Sequence, residues 1–248
     1  MISSGSIQVV KTREHNFIAH RLYFVRAKSG FSTVSLGVII EIGKVIIMKK
    51  TKKIALAISP ILVVLMFFIF QELAVLIGKD LAWYVGLFIY WVIFCLAVPM
   101  FLIGKDKILE KLKYRSTTIM TWLVAGVPVI FTLIGVIFIL DKVERSFIQA
   151  LIWTGMGIGN GLFEEILWRG MYSDLFPDNV VFGWLWPSFW FAIWHIAPGS
   201  LSQNLSVTML IGGALFYGLC WGWVSYKTKS ILLTSVSHFL SGFVQLLG

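Results

Sequence analysis

From Ile54 to the C-terminus the chain alternates long apolar runs with short polar connections. The runs have the length a helix needs to cross a hydrocarbon layer of about 30 Å. Seven are readable, at about 54–77, 81–103, 118–140, 149–176, 180–197, 207–226 and 231–247. The pattern predicts an all-α fold, a polytopic transmembrane helical bundle of about seven to eight spans. Residues 1–47 differ in pattern, and Met48-Lys-Lys-Thr-Lys-Lys has the form of a native start before a first span. They are expected to be an N-terminal extension, either an upstream over-extension of a chain that starts at Met48 or a real basic extension with a short interfacial helix around Phe31–Ile40. Residues 48–145 form the N-terminal transmembrane helices, and 146–248 a helical core that carries the chemistry.

Composition sharpens this picture: 58% of residues are hydrophobic and 13% charged, which excludes a soluble domain. The net charge of +9 sits in alternate connections. Lys49, Lys50, Lys52 and Lys53 precede the first run, Lys105 to Arg115 follow the second, and Lys227 and Lys229 follow the sixth. Such a bias orients a membrane protein, with the N-terminus cytoplasmic and the C-terminus external, and implies no nucleic-acid partner. The expected surroundings are the lipid bilayer of the cell membrane, crossed several times. Gly155, Gly157, Gly159 and Gly161 in one run, and Gly218 and Gly222 in another, predict close helix approach. Cys95 and Cys220 lie in apolar runs and are packing residues.

Against this background Glu164-Glu165-Ile-Leu-Trp-Arg169 stands out. Ionisable side chains in hydrocarbon cost at least a few kcal/mol and mark functional sites. The last three runs hold two histidines, His195 and His238. With about 1.5 Å of rise per residue, Glu164 lies about 18 Å from the end of its helix near Phe176. On the same rise His195 lies about 22 Å along its helix and His238 about 11 Å along its own, so the three can converge. Glu165 and Arg169 are four apart and share a face as an ion pair. Glu164 is turned about 100° away and is free to face the histidines. Phe191 and His195 also share a face, an aromatic wall beside an imidazole.

A carboxylate with two imidazoles can hold zinc with a position open for water, or activate water directly. No serine-nucleophile elbow and no HExxH sequence accompanies them. A water-activating hydrolase and a proton-relay transporter both remain open on residue types alone.

Glu164-Glu165-x-x-x-Arg169, Phe191-x-x-x-His195 and a third motif at His238, in that order, resemble the CPBP intramembrane proteases (CAAX processing and bacteriocin processing, or Abi). The resemblance covers about residues 148–245. It implies an endopeptidase whose site opens towards the cytoplasm and cleaves prenylated CAAX-like or other membrane-associated peptides, so the implied partner is a peptide or lipidated protein. By resemblance Glu164 activates the water with His195, and His238 is a metal ligand or an oxyanion stabiliser. Glu165, Arg169 and Phe191 shape the site. Zinc on Glu164, His195 and His238 is one implied chemistry, and a metal-free glutamate mechanism is the other. The family's third motif usually reads HxxxN, whereas this chain has Gly242 in the last place. That departure keeps a non-catalytic bacteriocin-immunity or scaffold member of the family as the alternative.

Overall fold

The computed structural model describes residues 33–137, 147–202 and 206–247. The extension up to residue 32 and the connection with Lys142 and Arg145 lie outside the described residues. All described elements are helical. The chain divides into two compact units, Met1–Ile46 and Ile47–Gly248, and the residues singled out above all lie in the second.

Helix α1 (Thr33–Ile77) ends at Gly78, whose φ is 81°. Helix α2 (Lys79–Leu102) starts at once, and Gly104, with φ of 85°, repeats the device before α3 (Lys105–Lys111). Glycine enters this left-handed region without steric cost, so both breaks are fixed by single residues. Asp80 and Asp106 stand in the first turns that follow, where a carboxylate suits the positive end of the helix dipole. Helix α4 (Ile119–Ile137) is followed by α5 (147–175), α6 (181–194) and the short α7 (Ile196–Gly199). Helices α8 (Val207–Thr228) and α9 (Leu232–Leu247) complete the chain.

Among the described residues, three helices are long and apolar enough to cross a membrane: Ile46–Ile77, Lys79–Leu102 and Val207–Thr228. Ile119–Gly135 is a shorter apolar helix. The expected count of seven to eight spans is not confirmed by length and composition among the described residues. Helix α5 carries Glu164, Glu165 and Arg169, α6 ends at Trp194, and α9 has only 16 residues. The outward surface is apolar, with Phe101 84% and Val75 83% exposed, as suits a molecule bathed in lipid rather than water.

The helices that bear the candidate site meet at glycines. A Cβ on Gly161 would lie 2.7 Å from the backbone nitrogen of Phe239, so α5 and α9 touch backbone to backbone. Gly218 and Gly222 bring α8 equally close to α6, where a Cβ would fall 3.1 Å from Phe191 and 2.7 Å from Ser188 Oγ. Close packing thus holds at these positions, while Gly155 has open space around it. Further ties cross the sequence at long range. The Tyr172 hydroxyl donates to the Ala55 carbonyl at 2.6 Å and joins α5 to α1. Ile231 N donates to the Lys111 carbonyl at 2.9 Å, and Ser230 Oγ to that of Lys113 at 2.8 Å. Between α8 and α9, Lys229 adopts φ of 57° and its ammonium donates to the Pro177 carbonyl.

Candidate active site

Helix α5 is regular from Phe147 to Gly159 and then widens. Asn160–Glu164 and Ile166–Met171 are π-helical, with Glu165 between them. Such turns are rare and concentrate at functional sites. They also close from residue i to i+5, so successive side chains diverge by less than in an α-helix. Glu164, Glu165 and Arg169 are all buried here, none more than 3% exposed.

The two glutamates converge on one imidazole. Glu165 Oε1 stands 3.1 Å from His238 Nδ1, and Glu164 Oε2 stands 3.5 Å from His238 Nε2. Glu165 Oε1 also pairs with Arg169 Nη1 at 3.0 Å. The expected Glu165–Arg169 pair therefore exists, but Glu165 is not confined to it. An α-helical pitch would turn the two carboxylates apart by about 100°. The widened helix and the two opposite-facing nitrogens of a single ring bring both to His238.

Aromatic rings enclose this cluster. Trp221 of α8 stacks on His238, with centroids 4.0 Å apart and planes at 19°. Its indole N–H donates to Ser237 Oγ at 2.8 Å, and Ser237 Oγ donates to the Ala125 carbonyl at 2.5 Å. The Arg169 guanidinium lies 4.1 Å from the centre of the Phe191 ring and 5.5 Å from that of Trp221. Its Nε and Nη2 have no hydrogen-bond partner, so these π faces take the place of acceptors. A Cβ on Gly218 would sit 3.4 Å from Nη2, which makes the glycine the space into which the guanidinium fits.

His195 closes α6 and stands apart from the carboxylates in its bonding. Its Nδ1 is 2.8 Å from the Phe191 carbonyl. A carbonyl only accepts, so Nδ1 carries a proton and Nε2 is the lone-pair nitrogen of the neutral ring. Phe191 meets both imidazoles edge to face, His195 at 4.9 Å and His238 at 5.9 Å between centroids. The aromatic wall expected beside His195 thus serves both rings. Among the described residues no three His, Cys, Asp or Glu side chains are arranged to hold a metal ion. Of the three residues named as zinc ligands, Glu164 and His238 meet, and the bond from His195 Nδ1 to a backbone carbonyl leaves its Nε2 free.

Two tryptophans and a tyrosine that the sequence pattern does not single out also line the cluster. Trp194 Nε1 donates to Glu164 Oε1 at 3.1 Å, and its ring stacks on Tyr90 at 3.7 Å. Tyr90 Oη accepts from Trp168 Nε1 at 2.6 Å. The one available signal was that a buried indole N–H seeks an acceptor. With 11 Trp in the chain, that signal selects none of them. Gly242 lies on α9 one turn beyond His238, and a Cβ there would meet only Gly157 Cα, at 3.9 Å.

Residues 146–244 match a protein family described as Rce1-like, type II CAAX prenyl endopeptidase Rce1-like. No curated protein and no solved structure matches the chain at a significant level. The matched stretch runs from α5 into α9 and so contains Glu164, Glu165, Arg169, Phe191, His195 and His238. It is consistent with a CPBP-family protease, the resemblance that the three motifs carry.

Proposed function

We propose, with that family region as premise, that the protein is an intramembrane endopeptidase in which Glu164 activates water against the peptide bond of a prenylated CAAX-like or other membrane-associated peptide. The observation that carries this reading is the pair of buried carboxylates on a single imidazole inside the matched region. Water adds to the scissile carbonyl carbon while its proton passes to Glu164, and Glu164 then returns that proton to the leaving amine. His195, with Nε2 as acceptor, orients the water. His238 Nε2, 3.5 Å from Glu164, turns its N–H to the carbonyl oxygen as charge develops there and Glu164 takes the water's proton. Glu165 and Arg169 hold His238 in place. The lysine distribution supports a multi-pass arrangement with the N-terminus in the cytoplasm and the site open to that side.

Cleavage of a fluorogenic prenylated peptide by the purified protein is the direct test. Glu164→Gln is expected to lower the rate by about 10²–10⁴, the usual contribution of a positioned base. Cleavage that survives Glu164→Gln would falsify the assignment.

One observation favours a second reading, that of a non-catalytic immunity or scaffold member of the family. Gly242 stands where the family's third motif usually supplies an asparagine, and a lost oxyanion donor typically costs about 10²–10³ in rate. Protein that cleaves no prenylated peptide, while Glu164→Gln still protects cells against a bacteriocin, would establish that reading instead.

A further inference from the structure

The His238 ring has one firm hydrogen bond and one marginal contact. Its Nδ1 stands 3.1 Å from Glu165 Oε1, whereas Nε2 stands 3.5 Å from Glu164 Oε2, at the outer limit of a hydrogen bond. One firm bond fixes a single point of an imidazole, and the torsion that turns the ring plane is soft. The plane is set from its face. The Trp221 ring lies flat on the imidazole, with centroids 4.0 Å apart and planes at 19°. This indole is itself tied down. Its N–H donates to Ser237 Oγ at 2.8 Å, and Ser237 Oγ donates to the Ala125 carbonyl at 2.5 Å. On α8 it is flanked by Gly218 and Gly222, the two positions where that helix lies close against α6. Ala125 belongs to α4, outside residues 146–244, so the N-terminal half of the chain supplies the end of the tether.

We propose that Trp221 is a positioning residue, a platform that sets the plane of the His238 ring so that Nε2 stays directed at Glu164 while Nδ1 stays on Glu165. It acts through His238 and not on the peptide. For the reaction rate the inference rests on the endopeptidase reading, in which the Nε2 N–H meets the developing charge. For the orientation of the ring it rests on the contacts alone. The Arg169 guanidinium also lies 5.5 Å from the centre of the Trp221 ring, so the test must separate the imidazole from the arginine.

Trp221→Leu removes the aromatic face, and Trp221→Phe keeps a face while losing the indole N–H. The first readout is nitrogen NMR of the purified protein carrying isotope-labelled histidine. The chain has 4 histidines, and the His238 signals are those lost in His238→Asn. In Trp221→Leu the Nε2 signal is expected to move towards its position in Glu164→Ala, where that partner is absent. In Trp221→Phe it is expected to stay near the wild-type position. The second readout is peptide cleavage. In Trp221→Leu kcat is expected to fall about ten-fold with KM unchanged, the rate equivalent of a lost aromatic stack, and Trp221→Phe is expected to restore most of it. In a His238→Ala background the same Trp221→Leu change is expected to lower the rate no further.

An Nε2 signal that does not move in Trp221→Leu overturns the inference whether or not the protein cleaves peptides. Equal movement in Trp221→Leu and Trp221→Phe overturns it too, because the aromatic face would then not be what holds the ring. A fall in rate that persists in the His238→Ala background assigns Trp221 to Arg169 instead. If the wild type cleaves nothing, the endopeptidase reading falls and the NMR comparison still decides on Trp221. If Trp221→Leu does not fold, Ser237→Ala takes its place. That variant keeps both rings but unties the indole, and it is expected to move the Nε2 signal less and in the same direction, with no movement counting against the inference.

Discussion

Two groups of ion pairs lie in the same molecule and live under opposite conditions. Around Lys105–Arg115 the pairs meet water: Arg115 reaches Glu110 at 2.8 Å and Lys107 reaches it at 3.3 Å, with side chains between 43% and 52% exposed. Around Glu165 the Arg169 side chain is 1% exposed and the carboxylate not at all. In water each charge is already solvated, so the pair adds little. In the buried cluster no water answers a charge, so each group is tolerable only while its partner is present. Distance alone does not tell the two apart, since 2.8 Å and 3.0 Å are nearly the same. Between them stands Lys111, buried beside Asp174 at 3.5 Å, which has one foot in each condition.

Removing one buried partner is the severest way to break this contrast. Arg169→Met leaves Glu165 with His238 but without its guanidinium and is expected to cost about 3–5 kcal/mol, read as a fall in the melting midpoint in detergent. Arg169→Met combined with Glu165→Gln should recover much of that loss, because no charge is then left unanswered. If the single and the double variant melt together, the pair is not what holds the cluster.

Filling position 242 sharpens the same contrast on the side of chemistry. There is room for a side chain beside Gly157, so Gly242→Asn is expected to fold normally and raise the cleavage rate about ten-fold, within the range for an added oxyanion donor. A fully inactive Gly242→Asn protein would count against the missing amide as the source of weak activity.

Lys111 gives an intermediate and pH-dependent effect. Burial pushes its ammonium below the usual lysine range, and Asp174 opposes the shift. The folded chain therefore releases this proton at a lower pH than the unfolded chain does, and stability from this residue rises as pH climbs towards 10.5. Comparing melting midpoints of wild type and Lys111→Met between pH 8 and pH 10 checks the sign, with the wild type gaining on the variant as pH rises. A constant gap would show that Lys111 titrates as it does in the open chain. The smallest effect is expected at the exposed end of the scale. Arg115→Ala should leave the midpoint unchanged at physiological salt, and a clear loss there would erase the distinction drawn above.

The contrast also separates what the sequence discloses from what it hides. Glu164, Glu165, Arg169, His195 and His238 were visible because ionisable residues are scarce in apolar runs. Their mutual geometry was less so. Counting on an α-helical pitch turned Glu164 and Glu165 apart, and nothing in the residues from Asn160 to Met171 announces a wider helix. Tyr90, Trp194 and Trp221 were hidden for the opposite reason, since aromatic residues are everywhere in this chain and only packing decides which ring meets the acid. The breaks at Gly78 and Gly104 were legible in principle, as single glycines between apolar runs. The stop of α6 at Trp194 was not, because hydropathy counts apolar residues and does not see where a helix ends.

The charge cluster on α5 has a consequence for how the chain is made. A segment entering the bilayer by itself is judged by its own residues, and on that scale one arginine near the centre costs about 2.5–3.5 kcal/mol. Helix α5 is not among the three helices apolar enough to cross unaided. The rings that shelter Arg169 belong to α6 and α8, which leave the ribosome later. In a bilayer this segment is therefore better tolerated once α6 and α8 stand beside it, since their rings shelter the guanidinium.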